Sequence, residues 1–105
     1  MREISRSMAK AAANEVTYIY LITDTAKGAT LSSGARRKEF SNVNSLVKKE
    51  GGQCRLYSTR GSSCDFVSII TGVSPAAAIR IAEGIDSTGS VKARLVSALE
   101  IFQGS

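Results

Sequence analysis

The sequence predicts an α+β domain of the ferredoxin-like type, with strands and helices in the order β-α-β-β-α-β. Three observations lead there. β-Branched and aromatic residues concentrate in four short blocks, VTYIYLIT, QCRLYSTR, DFVSIIT and VKARLVSALEIF, as strands require. Two of the segments between them carry apolar residues at helical spacing. The second and third blocks are separated only by a short Gly- and Ser-containing turn, which makes them a hairpin. That order is the split βαβ arrangement: a four-stranded antiparallel sheet with two helices on one face.

Each element follows from local chemistry. Residues 1–14 (MREISRSMAKAAAN) place Ile4, Met8, Ala11 and Ala12 at helical spacing and form an N-terminal arm. Residues 15–103 form the domain itself. The first strand, 16–23, is apolar on both faces, so both faces are expected to be covered. Residues 24–34 (DTAKGATLSSG) read as a loop. In residues 35–50, Phe40, Val43, Leu46 and Val47 line one helical face. Lys48 and Lys49 there suit the negative end of the helix dipole, and Gly51 can cap it. Residues 53–60 and 65–71 are the hairpin strands around the turn at 60–64. Ser74 caps a second helix, with Pro75 at its first position, where a missing N–H costs nothing. Ala78, Ile81, Ala82 and Ile85 are its inward face, and residues 87–90 (STGS) end it. Residues 91–102 are the last strand.

A chain of 105 residues fits one domain, and at this size pairing with a second copy adds needed burial. With 43% hydrophobic and 22% charged residues, the composition argues against disorder, collagen and a disulfide scaffold. No apolar run is long enough to span a bilayer. The basic first residues lack a signal-peptide core. They share Arg and Ser with mitochondrial presequences, a reading that Glu3 and Glu15 weaken, and the expectation is a cytoplasmic protein. The net charge of +5 favours a polyanionic partner, but the basic residues are scattered apart from Arg36-Arg37-Lys38 and Lys48-Lys49, so nucleic acid is not the expected partner. The sequence has no histidine, which excludes His-based metal sites and Ser–His or Cys–His nucleophiles. No metal and no cofactor is expected.

Two helices cover one face of such a sheet. Alternation along the strands gives two sets. One contains Ile19, Leu21, Cys54, Leu56, Val67, Ile69 and Leu95. The other contains Tyr18, Tyr20, Ile22, Arg55, Tyr57, Phe66, Ser68, Ile70, Arg94, Val96 and Ala98. The second mixes aromatics with Arg and Ser and is read as the helix-free face, too apolar to sit bare in water. Three uses compete: a sheet-on-sheet homodimer, a small ligand held between the sheets, or stacking of unpaired RNA bases. The third requires a Lys/Arg-Gly-aromatic signature on the third strand. Ser62, Ser63, Cys64 and Asp65 stand in its place. If a ligand binds, Tyr18, Tyr20, Tyr57 and Phe66 would wall it, and Arg55 and Arg94 would fix a carboxylate.

From the first strand to the last, the chain resembles the GYD-domain family. The residues that carry this are Thr23-Asp24 with Gly28, Gly51-Gly52, Tyr57-Ser58-Thr59 with Gly61 and Asp65, and Gly89-Ser90-Val91-Lys92 followed by Leu95-Val96-Ser97-Ala98. The family's Gly-x-Tyr-Asp reads here Gly61-Ser62-Ser63-Cys64-Asp65, one residue longer and with Cys64 for Tyr. The resemblance implies a dimeric α/β-barrel of ferredoxin-like units with no established reaction. The ligand-binding half of the leucine-responsive regulators has a similar pattern, which keeps a regulatory module open. Related dimeric barrels host cofactor-independent oxygenases, the enzyme alternative, although fold alone is a weak warrant.

The remaining chemistry is sparse. Asp65, near Arg60 and Arg55, is either a general base or an acceptor for turn amides. Cys64 is either a reactive thiol or a bland turn residue. A hairpin centred on residues 61–63 places Cys54 opposite about Ile70 and far from Cys64, so no disulfide is expected. No phosphate-binding glycine motif is present.

Overall fold

The computed structural model describes residues 16–59, 63–99 and 101–104. The expected arm at 1–14 and the tip of the hairpin turn, 60–62, lie outside the described residues. The elements run β1 (Val16–Asp24), α1 (Ser33–Lys49), β2 (Gln53–Ser58), β3 (Phe66–Thr71), α2 (Pro75–Asp86) and β4 (Val91–Leu99), with a single 3-10 turn at Gly28–Thr30 before α1. The four strands form one antiparallel sheet in the order β2-β3-β1-β4. This is the ferredoxin-like α+β arrangement expected.

Three boundaries move by two residues or more, one of them the end of β2, which comes at Ser58. Helix α1 starts at Ser33, inside the expected loop, because the Ser32 hydroxyl accepts from the Ala35 amide at 3.1 Å and caps it. Strand β4 stops at Leu99, and residues 101–104 have no regular structure. The other cap is as expected: Ser74 accepts from the Ala77 amide at 3.1 Å, with Pro75 at the first position of α2. Gly51 ends α1 with φ +86°, a conformation a side chain resists.

Burial follows the helical spacing. Val47 of α1 and Ala77, Ala78, Ile81 and Ile85 of α2 are buried against Tyr18, Tyr20, Ile22 and Ile70 of the sheet. Phe66, Val43, Leu46, Ala93 and Leu95 pack around that core. Arg80, midway along α2, ties that helix to the end of α1 by donating to both Glu50 carboxylate oxygens at 2.9 Å. That hydrogen bond and the guanidinium charge hold the Glu50 carboxyl below its usual range.

Candidate functional site

The register decides which side chains share a face. Tyr18 faces Ile70, Tyr20 faces Ser68 and Ile22 faces Phe66 across β1 and β3. Cys54, Leu56 and Ser58 continue those rows on β2, and Ser97, Leu95 and Ala93 continue them on β4. Because Tyr20, Ile22 and Ile70 belong to the core with the helices, this whole set points to the helical side. The assignment of Tyr18, Tyr20 and Phe66 to the helix-free face is therefore corrected, together with Ile22, Ser68 and Ile70. Tyr20 is fully buried, and its hydroxyl donates to the Ala78 carbonyl of α2 at 2.8 Å. That one hydrogen bond satisfies its polar end on the inner face. Burial, reinforced by Tyr18 and Cys54, pushes the Tyr20 phenol far above its usual range. Phe66 meets Phe40 of α1 edge-on at 5.4 Å, and the Arg36 guanidinium lies 5.2 Å over the Phe66 ring.

The open face carries Thr17, Ile19, Leu21 and Thr23 of β1, Gln53, Arg55 and Tyr57 of β2, Val67, Ile69 and Thr71 of β3, and Lys92, Arg94, Val96 and Ala98 of β4. Of the expected site residues, Arg55, Tyr57 and Arg94 are there. Arg55 and Tyr57 lie side by side on β2, whereas Arg94 is on β4, at the far side of the sheet. Tyr57, Val67, Leu21 and Arg94 form one row across the sheet, and Arg55, Ile69, Ile19 and Val96 form the next. Strands β2 and β4 are the two edges, so each row spans about 14 Å. A shallow depression of about 320 Å³ lies at the β2 edge, lined by Gln53, Arg55, Tyr57, Ile69 and Thr71. The centre of the face is aliphatic: Ile19, Leu21, Val67 and Ile69, with Val96 39% and Tyr57 46% exposed beside it.

A second feature was not foreseen in the sequence. On the helical side, a half-open cleft of about 450 Å³ runs between α1 and the sheet. Ile22, Cys54, Leu56 and Ser68 form its floor, and Phe40, Val43, Ile85 and Val91 its walls. The signal for it in the sequence is Ser68, a small polar residue in a row of large ones between Tyr20 and Leu56. Arg36, at one end, pairs with Asp24 (Nη2 to Oδ1, 2.6 Å) and donates to the Gly28 carbonyl at 2.7 Å. Its Nη1 is buried without a hydrogen bond among the described residues, 4.0 Å from Glu39 Oε1. Glu39 in turn accepts from the Ser90 hydroxyl, 2.7 Å from each oxygen.

The two turn residues weighed for chemistry have bonding roles. Asp65 accepts from the Asp24 amide at 2.8 Å, tying the hairpin to the end of β1. Cys64 Sγ lies 3.6 Å from the Thr59 hydroxyl. Cys54 faces Ile70, and its thiol lies 3.2 Å from the Ser68 hydroxyl. Among the described residues there is no cluster of three or more metal-ligating side chains, and no helix is long and apolar enough to cross a membrane.

No protein-family model and no curated protein matches the sequence. Among solved structures the chain is similar to one described as the crystal structure of a putative chlorite dismutase, TA0507, with a TM-score of 0.55 and 16% sequence identity. The match covers 79% of this chain and 44% of that one, so the chain spans less than half the length of this neighbour. At that identity the likeness shows the fold alone, and it agrees with the ferredoxin-like arrangement.

Proposed function

We propose that this chain is a non-catalytic, self-associating module of the GYD-domain type, which pairs with a second copy of itself through the open face of its sheet. The observation that carries this reading is the continuous aliphatic centre of Ile19, Leu21, Val67 and Ile69 on a face that no element among the described residues covers. Burying a side chain of this kind contributes about 1.5–3 kcal/mol, and sheets stack face to face at about 10 Å. A base-stacking sheet needs aromatic rings on its central strands, and here those positions are branched aliphatics.

Charge selects how two copies would meet. The open face carries Arg55 at one edge and Lys92 and Arg94 at the other, with no acidic residue at its described strand positions. Laying β4 on the partner's β4 would bring four cations together. A two-fold axis along the strands instead sets β2 on the partner's β4. Tyr57 then meets the partner's Arg94, a favourable cation–π pair.

Light scattering on a size-exclusion column at about 50 µM tests this. The expected result is a dimer, which Leu21→Lys or Ile69→Lys converts to monomer. Ile79→Lys, on α2 and 54% exposed, leaves it intact. A monomeric parent protein overturns the reading.

A further inference from the structure

We propose that the cleft between α1 and the sheet binds a small, uncharged, mainly apolar molecule that carries one hydroxyl or carbonyl oxygen. The cleft lies on the opposite face of the sheet from the pairing surface, so the site is independent of self-association.

The cleft stays open because α1 is fixed at both ends and bridges the space between. At its start, Arg36 is bound to Asp24 and Gly28, Glu39 to Ser90, and Phe40 is set against Phe66. At its end, Val47 is fully buried and Glu50 is held by Arg80. Leu46 fits over Gly84, where an added Cβ would come within 2.6 Å of its side chain. Val43 and Asn44, midway, line the cleft. A site already shaped in this way avoids an ordering cost on binding. Its volume of about 450 Å³ falls within the range of small-molecule sites.

The lining chooses the chemistry. Ile22, Leu56, Phe40, Val43, Ile85 and Val91 offer only apolar surface. The polar exception on the floor is the Cys54–Ser68 pair. A hydroxyl has one donor and two acceptor sites, so after meeting the thiol it can still bond one oxygen of a guest. At the end of the cleft Arg36 is paired with Asp24, Glu39 accepts from the Ser90 hydroxyl, and Arg37, which also lines the cleft, is exposed to water. A charged guest seated on the floor, among Ile22, Cys54, Leu56 and Ser68, would lose its water with no counter-ion beside it.

The test uses 1-naphthol as the probe and the full chain carrying Cys64→Ser, which leaves Cys54 as its one thiol. Saturating 1-naphthol is expected to slow alkylation of Cys54 by iodoacetamide at least tenfold, and 1-naphthoate at the same concentration is expected to slow it less than twofold. Val43→Phe, which fills the cleft from the helix, and Ser68→Leu, which fills it from the floor, are each expected to remove the 1-naphthol effect. Either suffices if the other fails to fold. Leu21→Lys is expected to leave the protection unchanged, which separates this site from the pairing face. No protection by 1-naphthol up to its solubility overturns the proposal, as does equal or better protection by 1-naphthoate. Equal alkylation rates for the parent and Val43→Phe without probe also overturn it, since the cleft would then be filled by the chain itself or by another copy.

Discussion

The Tyr20 hydroxyl, on the central strand β1, reaches the Ala78 carbonyl of α2 at 2.8 Å, fifty-eight residues away in sequence. It joins sheet to helix through an otherwise apolar layer. Tyr20→Phe keeps the ring and deletes this bond, so we expect a loss of about 1 kcal/mol, read as a lower urea midpoint with an unchanged slope.

The same residue sets an alkaline limit. Burial raises the Tyr20 phenol in the folded state, whereas in the unfolded chain it ionises near pH 10. Above about pH 10 the unfolded state therefore sheds its proton first. The contribution of Tyr20 is complete below that pH and is lost as the pH rises further. Urea titrations between pH 8 and 11 should show a decline in stability that is shallower in Tyr20→Phe. An equal decline in both proteins would refute the assignment.

Gly28 packs so closely that a Cβ there would collide with the Ser90 carbonyl and approach Asp24 Oδ1 to 2.7 Å. Gly34, at the start of α1, has nothing within 4 Å of such a Cβ. The same substitution should act in opposite directions. Gly28→Ala is expected to cost about 2 kcal/mol or more, and Gly34→Ala to stabilise by about 0.5 kcal/mol through a less disordered unfolded chain. Thermal melts of the two variants decide it.

Arg36 and Asp24 are largely buried, with side-chain exposures of 16% and 21%. Removing the guanidinium leaves the carboxylate without its cation and the Phe66 ring without its cover. Arg36→Met should cost about 2 kcal/mol, and Arg36→Lys should recover only part of that, because an ammonium lacks the flat face and second donor arm. A double-mutant cycle with Asp24→Asn should return a positive coupling. A coupling near zero would show the pair to be incidental.

Element order was legible because the signals were local. Val47, Ile81 and Ile85 fall where helical spacing puts them, and two residues, Ser74-Pro75, announce α2. Placing Cys54 opposite Ile70 needed only the hairpin. The two faces of β1 and β3 were not legible. Tyr18, Tyr20 and Ile22 alternate with Ile19 and Leu21, so both faces are apolar and alternation has no sign. A buried tyrosine is tolerated only where its hydroxyl finds a partner, and Ala78 lies in another element. The cleft was hidden for a related reason. It arises from the distance between α1 and the sheet, which Arg36, Glu39 and Phe40 set through Asp24, Ser90 and Phe66, partners from 12 to 51 residues away in sequence.

Val16, at the start of the first strand, stands opposite Leu99 at the end of the last. A ribosome making this chain therefore releases the middle of the sheet first and its outer neighbour last. Until β4 has emerged, one whole edge of β1 has no partner, and Tyr20 and Ile22 lack the cover of Leu95 and Ala93. Long-range closure of this kind folds late and leaves partly made chains prone to aggregation. A nascent chain stopped anywhere before Val91 is thus a natural client for chaperones, whereas a few residues trimmed after Leu99 should pass unnoticed.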